Sequence, residues 1–256
     1  AGNPFLRVGQ EAATLNNSLN DLTFRIDTGA AGNGRKVGEV IWLTTQRIGA
    51  VGSNVTIQVV GANDVTFQNP VFAENFDQTA GVGSTTFANN FLFADTFEFD
   101  GNNLALEGAV ARVTNGMTVS NAGLFTTDSV TDLTAGTFTQ DTANASRIGG
   151  TITTTTGGIN FQGAVTAGVE AFGPADQNVA FTTNAANQSI TFQSALTNGT
   201  QNENVVLSAG TAGGEGDISF GGIVNLSDNG DLTINRAADV NFASTLDSNN
   251  FTQTAG

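Results

Sequence analysis

The chain has 256 residues, no cysteine, histidine or tyrosine, a single tryptophan, and a formal charge of −15. That charge argues against nucleic acid and anionic membrane surfaces as partners, since both need a basic face. The missing cysteines exclude disulfides and thiolate metal sites, and no apolar run approaches the roughly 18 residues of a spanning helix.

Only 12% of the residues are charged. Disorder is nevertheless the wrong expectation, because Phe, Ile and Val recur on strand parity and give the chain something to bury. No stretch sustains a helical period.

The first sixty residues carry Arg7, Arg25, Arg35, Lys36 and Arg47 against Glu11, Asp21, Asp27 and Glu39. That is about +1 here and about −16 over the remainder. Within this part, Val37 to Thr45 reads as a strand and Thr14 to Ile26 as the edge of a repeat. Residues 1–53 are taken as an atypical N-terminal β segment, a cap or junction. Residues 54–256 are taken as regular repeats.

From Asn54 the pattern settles. Val55 to Val60 alternates, Gly61-Ala62-Asn63 turns, and Asp64-Val65-Thr66-Phe67-Gln68-Asn69-Pro70-Val71 follows. The same phrase returns at 158–165, 189–196, 217–224 and 239–246. Between copies come short alternating steps such as Phe91-Leu92-Phe93, Phe97-Glu98-Phe99 and Met117-Thr118-Val119. Phe138-Thr139-Gln140 echoes Phe76-Asp77-Gln78. Gly168 to Asn178, with Pro174, reads as a loop leaving the stack, while Asn198-Gly199-Thr200 and Gly210 to Gly214 read as turns.

In the copy at 217–224, Ile218 and Phe220 point one way on a strand and Ser219 the other. Val224 faces in again. Between them the inward bulk is lost at one fixed place, filled by Asn69, Gly163, Ser194, Gly222 or Ser244 in the five copies, and the chain is expected to bend there. The phrase is therefore strand, corner, strand. Repeated every 20 to 30 residues or so, it predicts an all-β parallel solenoid. Phe67, Phe161, Phe192, Phe220 and Phe242 are expected to form an inner stack of rings. The alternative is a β-sandwich filament subunit joined by strand donation, whose strand pairs would be antiparallel.

The final phrase, Phe251-Thr252-Gln253-Thr254-Ala255-Gly256, matches residues 76–81, after which another strand follows. It reads as part of a longer repetitive protein, or as a subunit whose open end a neighbour covers. Phe251, Thr252 and Gln253 at one end, with Arg35 and Lys36 at the other, are the candidate assembly residues. A head-to-tail contact between copies or neighbouring repeats brings opposite charges together.

Catalysis would need convergent acids. Asp95, Glu98 and Asp100 are available for a glycosidase-like pair. They read instead as outward, solvated positions flanking Phe97 and Phe99, and aromatic platforms for sugar are scarce. No Ser–His or Cys–His pair can exist. The expectation is a protein without catalytic, cofactor or metal residues. Calcium is the minor alternative, from Gly213-Gly214-Glu215-Gly216-Asp217, although its acid arrives one residue early for a calcium-binding β-roll turn and the turn occurs once. The threonine run Thr151 to Thr156 would serve an ice lattice only if repeated in successive coils.

The phrases at 217–224, 196–210 and 251–256 resemble the repeats of very large bacterial surface proteins related to filamentous haemagglutinin and autotransporter passenger regions. The resemblance spans roughly residues 54–256. It implies a right-handed parallel β-helix, extracellular or held at the cell surface, that acts in adhesion or as a structural fibre. Surface carbohydrate is a further partner it allows. A carbohydrate-binding or carbohydrate-cleaving β-helix is the alternative function.

Overall fold

The computed structural model describes residues 5–8, 21–27, 39–42, 54–62, 64–81, 83–168, 178–199, 203–226 and 229–254. Every regular element among them is a β-strand. The strands wind into a parallel β-solenoid of about nine turns. Among the described residues, all pairings are parallel except one short hairpin, Gly210–Thr211 with Gly214–Glu215. The antiparallel sandwich alternative is thereby set aside.

Each regular coil contributes three short strands to three faces. The first face is an 11-stranded sheet; Asp64–Phe67, Ser84–Phe87, Phe125–Thr127 and Val224–Leu226 belong to it. The second runs through Asn75–Gly81, Phe97–Gly101, Ile159–Phe161, Ile190–Phe192, Ile218–Phe220 and Val240–Phe242. The third runs through Val71–Ala73, Phe91–Phe93, Thr151–Thr154, Asn178–Thr183, Asn204–Ser208, Leu232–Arg236 and Phe251–Gln253. Val110–Asn121 and Asp132–Gln140 each pass around the corner between the third and second faces without a break, with a register irregularity between Val113 and Gly116.

Coil length follows from the register. Leu104 pairs with Phe125, 21 residues on, and Phe125 with Ser146, again 21 on. Val165 pairs with Leu196, 31 on, and Leu196 with Val224, 28 on. The coil ending at Leu196 holds the stretch read as a loop, of which 169–177 lie outside the described residues. The next coil holds the hairpin 210–215. The N-terminal segment feeds the same stacks: Phe5–Val8 pairs with Glu39–Trp42, which pairs with Asp64–Phe67, and Asp21–Asp27 pairs with Asn54–Ala62.

The in–out–in parity of a three-residue strand decides what is buried. Ile218 and Phe220 are buried and Ser219 is not. Phe161, Phe192, Phe220 and Phe242 form one ladder, with ring centroids 5.6, 5.5 and 4.8 Å apart and planes within 2°, 5° and 8°. Burying one such ring contributes on the order of 2–3 kcal/mol, and offset stacking adds about 0.5–1.5 kcal/mol. Phe67 departs from this ladder. It stands on the first face, in register with Phe87, and stacks on it at 4.5 Å. The first coils carry their own aromatic cluster of Phe67, Phe76, Phe87, Phe91, Phe93 and Phe97. In the coil spanning 103–121 the interior is aliphatic, with Leu104, Leu106, Met117 and Val119.

Corners expose backbone groups that the ladders alone do not satisfy, and buried side chains take them up. Gln140 is the main example. Its Nε2 donates to Asn121 Oδ1 at 2.9 Å and to the Thr142 carbonyl at 2.7 Å, while its Oε1 accepts from Gly163 N at 2.9 Å. Asn121 Nδ2 donates to the Gly123 and Ala145 carbonyls. Three successive coils are thus stitched through one corner. Gly163 is glycine because a Cβ there would run into the Asn144 carbonyl of the coil beneath.

Candidate functional site

Outward side chains on the second face line up by register. Gln58, Asp77, Glu98 and Thr118 occupy one column. Asp100 and Ser120 occupy the next column along the strands. An open groove of ≈ 390 Å³ runs between these columns, lined by Asp77, Thr79, Glu98, Asp100, Thr118 and Ser120. Asp77 Oδ2 accepts from Gln58 Nε2 at 2.9 Å, and Ser120 donates to Asp141 Oδ1 at 2.7 Å. Glu98 and Asp100 are exposed.

The groove brings together two of the three acids singled out from sequence. The third, Asp95, sits at the corner before the second face. It accepts from Asn115 Nδ2 at 2.5 Å, and its N–H donates to the Glu74 carbonyl. Asp77 takes its place in the groove. In the phrase Phe76-Asp77-Gln78 alone, Asp77 is one more outward polar residue. The signal was available, since Asp77 stands one coil below Glu98 at the same outward position. Acids on facing strands repel mildly. The arrangement can accept hydrogen bonds from hydroxyls; the one ring in its lining, Phe99, is turned into the core.

The calcium-type turn is a hairpin closed on itself. Gly213 N donates to Glu215 Oε1 at 2.9 Å. That bond, with the Glu215 N–H and the charge of Arg236 behind it, holds the Glu215 carboxyl below its ordinary range. Among the described residues no group of three or more Asp or Glu side chains is placed to hold a metal ion. Asp231 is engaged otherwise, accepting from Asn249 Nδ2, Asn250 N and Asn250 Nδ2. On the third face Thr153 stands between Thr134 and Thr182, but Thr151 stands between Asp132 and Ala180. The threonines thus form a single column and no two-column lattice at this place.

Of the assembly candidates, Arg35 and Lys36 lie outside the described residues. Phe251, Thr252 and Gln253 form the last strand and pair with Leu232, Thr233 and Ile234. This strand belongs to the third face, although the matching phrase Phe76-Asp77-Gln78 lies on the second. Phe251 is 43% exposed, and Val240, Phe242 and Leu246 beside it are only partly covered. Among the described residues the three last strands pair on one side only.

No protein-family model, curated protein or solved structure matches the chain.

Proposed function

We propose that this protein is a non-catalytic structural or adhesive module of an exported bacterial surface protein, working as an extended rod or a head-to-tail filament. The observation that carries the reading is the coil of Val240–Phe242, Leu246–Ser248 and Phe251–Gln253, whose strands pair on one side only among the described residues, over a partly covered apolar interior. Such an edge pairs readily with another strand. A further coil of the same kind, from a neighbouring repeat or a second copy, fits it by backbone pairing and by a Phe or Ile placed over Phe242. The resemblance of the repeat phrases to haemagglutinin-type surface proteins supports the same reading.

Imaging of the purified protein by negative stain tests it. Rods or fibres thickening into head-to-tail chains at high concentration are expected. Isolated short particles at every concentration, with no cell-surface material in fractionated cells, would refute it.

A second reading rests on the groove at Asp77, Glu98 and Asp100, which suits the hydroxyls of a surface polysaccharide. Binding of immobilised glycans, lost on replacing all three acids by Ala, is its expected signature.

A further inference from the structure

The outer surface breaks its own rule at one place. Among the described residues, every three-residue strand carries a polar residue at its middle except Val71–Ala73 and Phe91–Phe93. There the outward middle residues are Phe72 and Leu92, both half-buried. They pair in register, one coil apart, on the third face. Single apolar residues at a surface need no explanation, but apolar neighbours on an otherwise polar face mark an interaction site.

The column continues into a cation. Leu92 pairs on its other side with Arg112, after which the face turns polar at Thr134, Thr153 and Thr182. Arg112 is exposed and, among the described residues, makes no hydrogen bond or ion pair. Two residues earlier along the same strands, Pro70 stands beside Phe72 and Val110 beside Arg112, both half-buried. Two residues later than Phe72, at the corner, Glu74 has a carboxylate oxygen without a hydrogen-bond partner. Phe72, Leu92 and Arg112 are thus evenly spaced, about 4.8 Å from one to the next.

We infer that this part of the third face docks a second copy of the chain, through a two-fold axis that runs along the strands and passes through Leu92. An isologous contact needs a self-complementary patch, and this one is. The axis sets Leu92 on its own counterpart. It sets Pro70 on Val110, apolar on apolar. It brings the Arg112 guanidinium over the ring of Phe72, a cation–π pair, on the side where Glu74 supplies the opposite charge. Each of these contacts forms twice. A two-fold axis along the rod would instead set Arg112 on Arg112, so charge selects the antiparallel arrangement. The contact is lateral, and independent of any joining through the last coil.

Sedimentation equilibrium tests it on the full chain carrying Phe251→Glu, so that joining through the last coil does not contribute. A reversible monomer–dimer equilibrium is expected. Leu92→Asp places two charges face to face and should raise the dissociation constant at least about tenfold. Ser219→Asp, at the same kind of outward position on the second face, should leave it unchanged. Arg112→Glu and Glu74→Arg should each weaken the dimer, and the two variants mixed in equal amounts should pair again, since each then meets the opposite charge in its partner. Loss of packing alone cannot produce that rescue. A protein that stays monomeric at every concentration overturns the proposal. So does a dimer that survives Leu92→Asp, or a mixture that pairs no better than its components. If Glu74→Arg loses the parent's circular dichroism, the contrast between Leu92→Asp and Ser219→Asp decides.

Discussion

Phe192 and Phe220 lie ring over ring, centroids 5.5 Å apart and planes 5° from parallel, on strands that pair residue for residue from Ile190↔Ile218 to Phe192↔Phe220. The contact is the repeat unit of the fold. Backbone register places the rings, and the rings in turn penalise any slip, because a one-residue shift would turn every one of them outward.

Removing one ring from this ladder should therefore cost far more than removing a ring at the surface. Phe192→Ala is expected to destabilise by about 3–5 kcal/mol, the range for emptying a packed aromatic site. Phe251, at 43% exposure, should cost about 1 kcal/mol or less when changed to Ala. Urea unfolding of the two variants beside the parent measures the contrast; equal losses would show that the ladder is not the main support.

The buried corner network predicts a second cost of a different kind. Gln140→Leu keeps the bulk but strands Gly163 N and takes from Asn121 Oδ1 its bond to Gln140, leaving it the Thr142 hydroxyl at 3.1 Å. A buried group left unpaired costs roughly 1–3 kcal/mol. The double change Asn121→Ala with Gln140→Leu should not cost the sum of the singles, since the two share one network. Additive losses in chemical denaturation would mean the two side chains act independently.

These two predictions also mark what was legible in the sequence. Inward parity at Ile218 and Phe220, and the corner after each Phe, could be read directly, because a strand alternates and a small residue must stand where coils approach. What could not be read was the face. Phe67 stacks on Phe87 on the first face, Phe220 belongs to the second, and Phe251 lies on the third. All three faces use the same short in–out–in strand and the same kind of corner, so one phrase serves each of them. The groove was half legible for the same reason. Glu98 and Asp100 are neighbours in sequence, but Asp77 joins them only through a coil length that varies.

Acid should reach the hairpin carboxyl only below the ordinary glutamate range. The Glu215 carboxyl is held below its ordinary range by the N–H groups of Gly213 and of Glu215 itself. A carboxyl with a depressed folded-state pKa stabilises above its unfolded-state value, and that contribution is lost as pH falls through the folded-state value. Side-chain NMR of Glu215 should show titration below that of an unstructured glutamate, with the amide of Gly213 moving in step. Glu215→Gln should remove the coupled Gly213 shift and leave global stability nearly unchanged, because the group is exposed. A Gly213 amide that titrates identically in the variant would contradict the assignment.

The acid groove should tolerate substitution unequally. Glu98 is exposed and makes no hydrogen bond that other residues depend on, so Glu98→Ala is expected within about 0.5 kcal/mol of the parent. Relief of repulsion from Asp77 one coil below would make it slightly stabilising. Asp95→Ala should cost more, about 1 kcal/mol, because it releases Asn115 at the corner. Thermal unfolding at low salt separates the two. A Glu98→Ala loss as large as that of Asp95→Ala would assign the groove a structural role.

The last prediction concerns association at the open edge. Among the described residues, strands Val240–Phe242, Leu246–Ser248 and Phe251–Gln253 pair on one side only, with the partly covered rings of Phe242 and Phe251 beside that edge. A contact between this end and the N-terminal strands is heterologous, so it propagates unless its rotation closes a ring. Backbone pairing and apolar stacking supply the affinity. The slightly basic start and strongly acidic remainder of the chain favour start-to-end over end-to-end encounters. Phe251→Glu places a charge on that surface and gives up the edge contact of Phe251 with Phe242, at 6.0 Å between centroids, while Phe161, Phe192 and Phe220 keep theirs; it should abolish concentration-dependent growth in sedimentation while the monomer keeps the parent's circular dichroism. Reversing Arg35 and Lys36 to Glu should slow growth and blunt its salt dependence without abolishing it, since charge governs encounter more than cohesion. Fibres that grow equally well in the Phe251→Glu protein would show that the open coil is not the surface through which copies join.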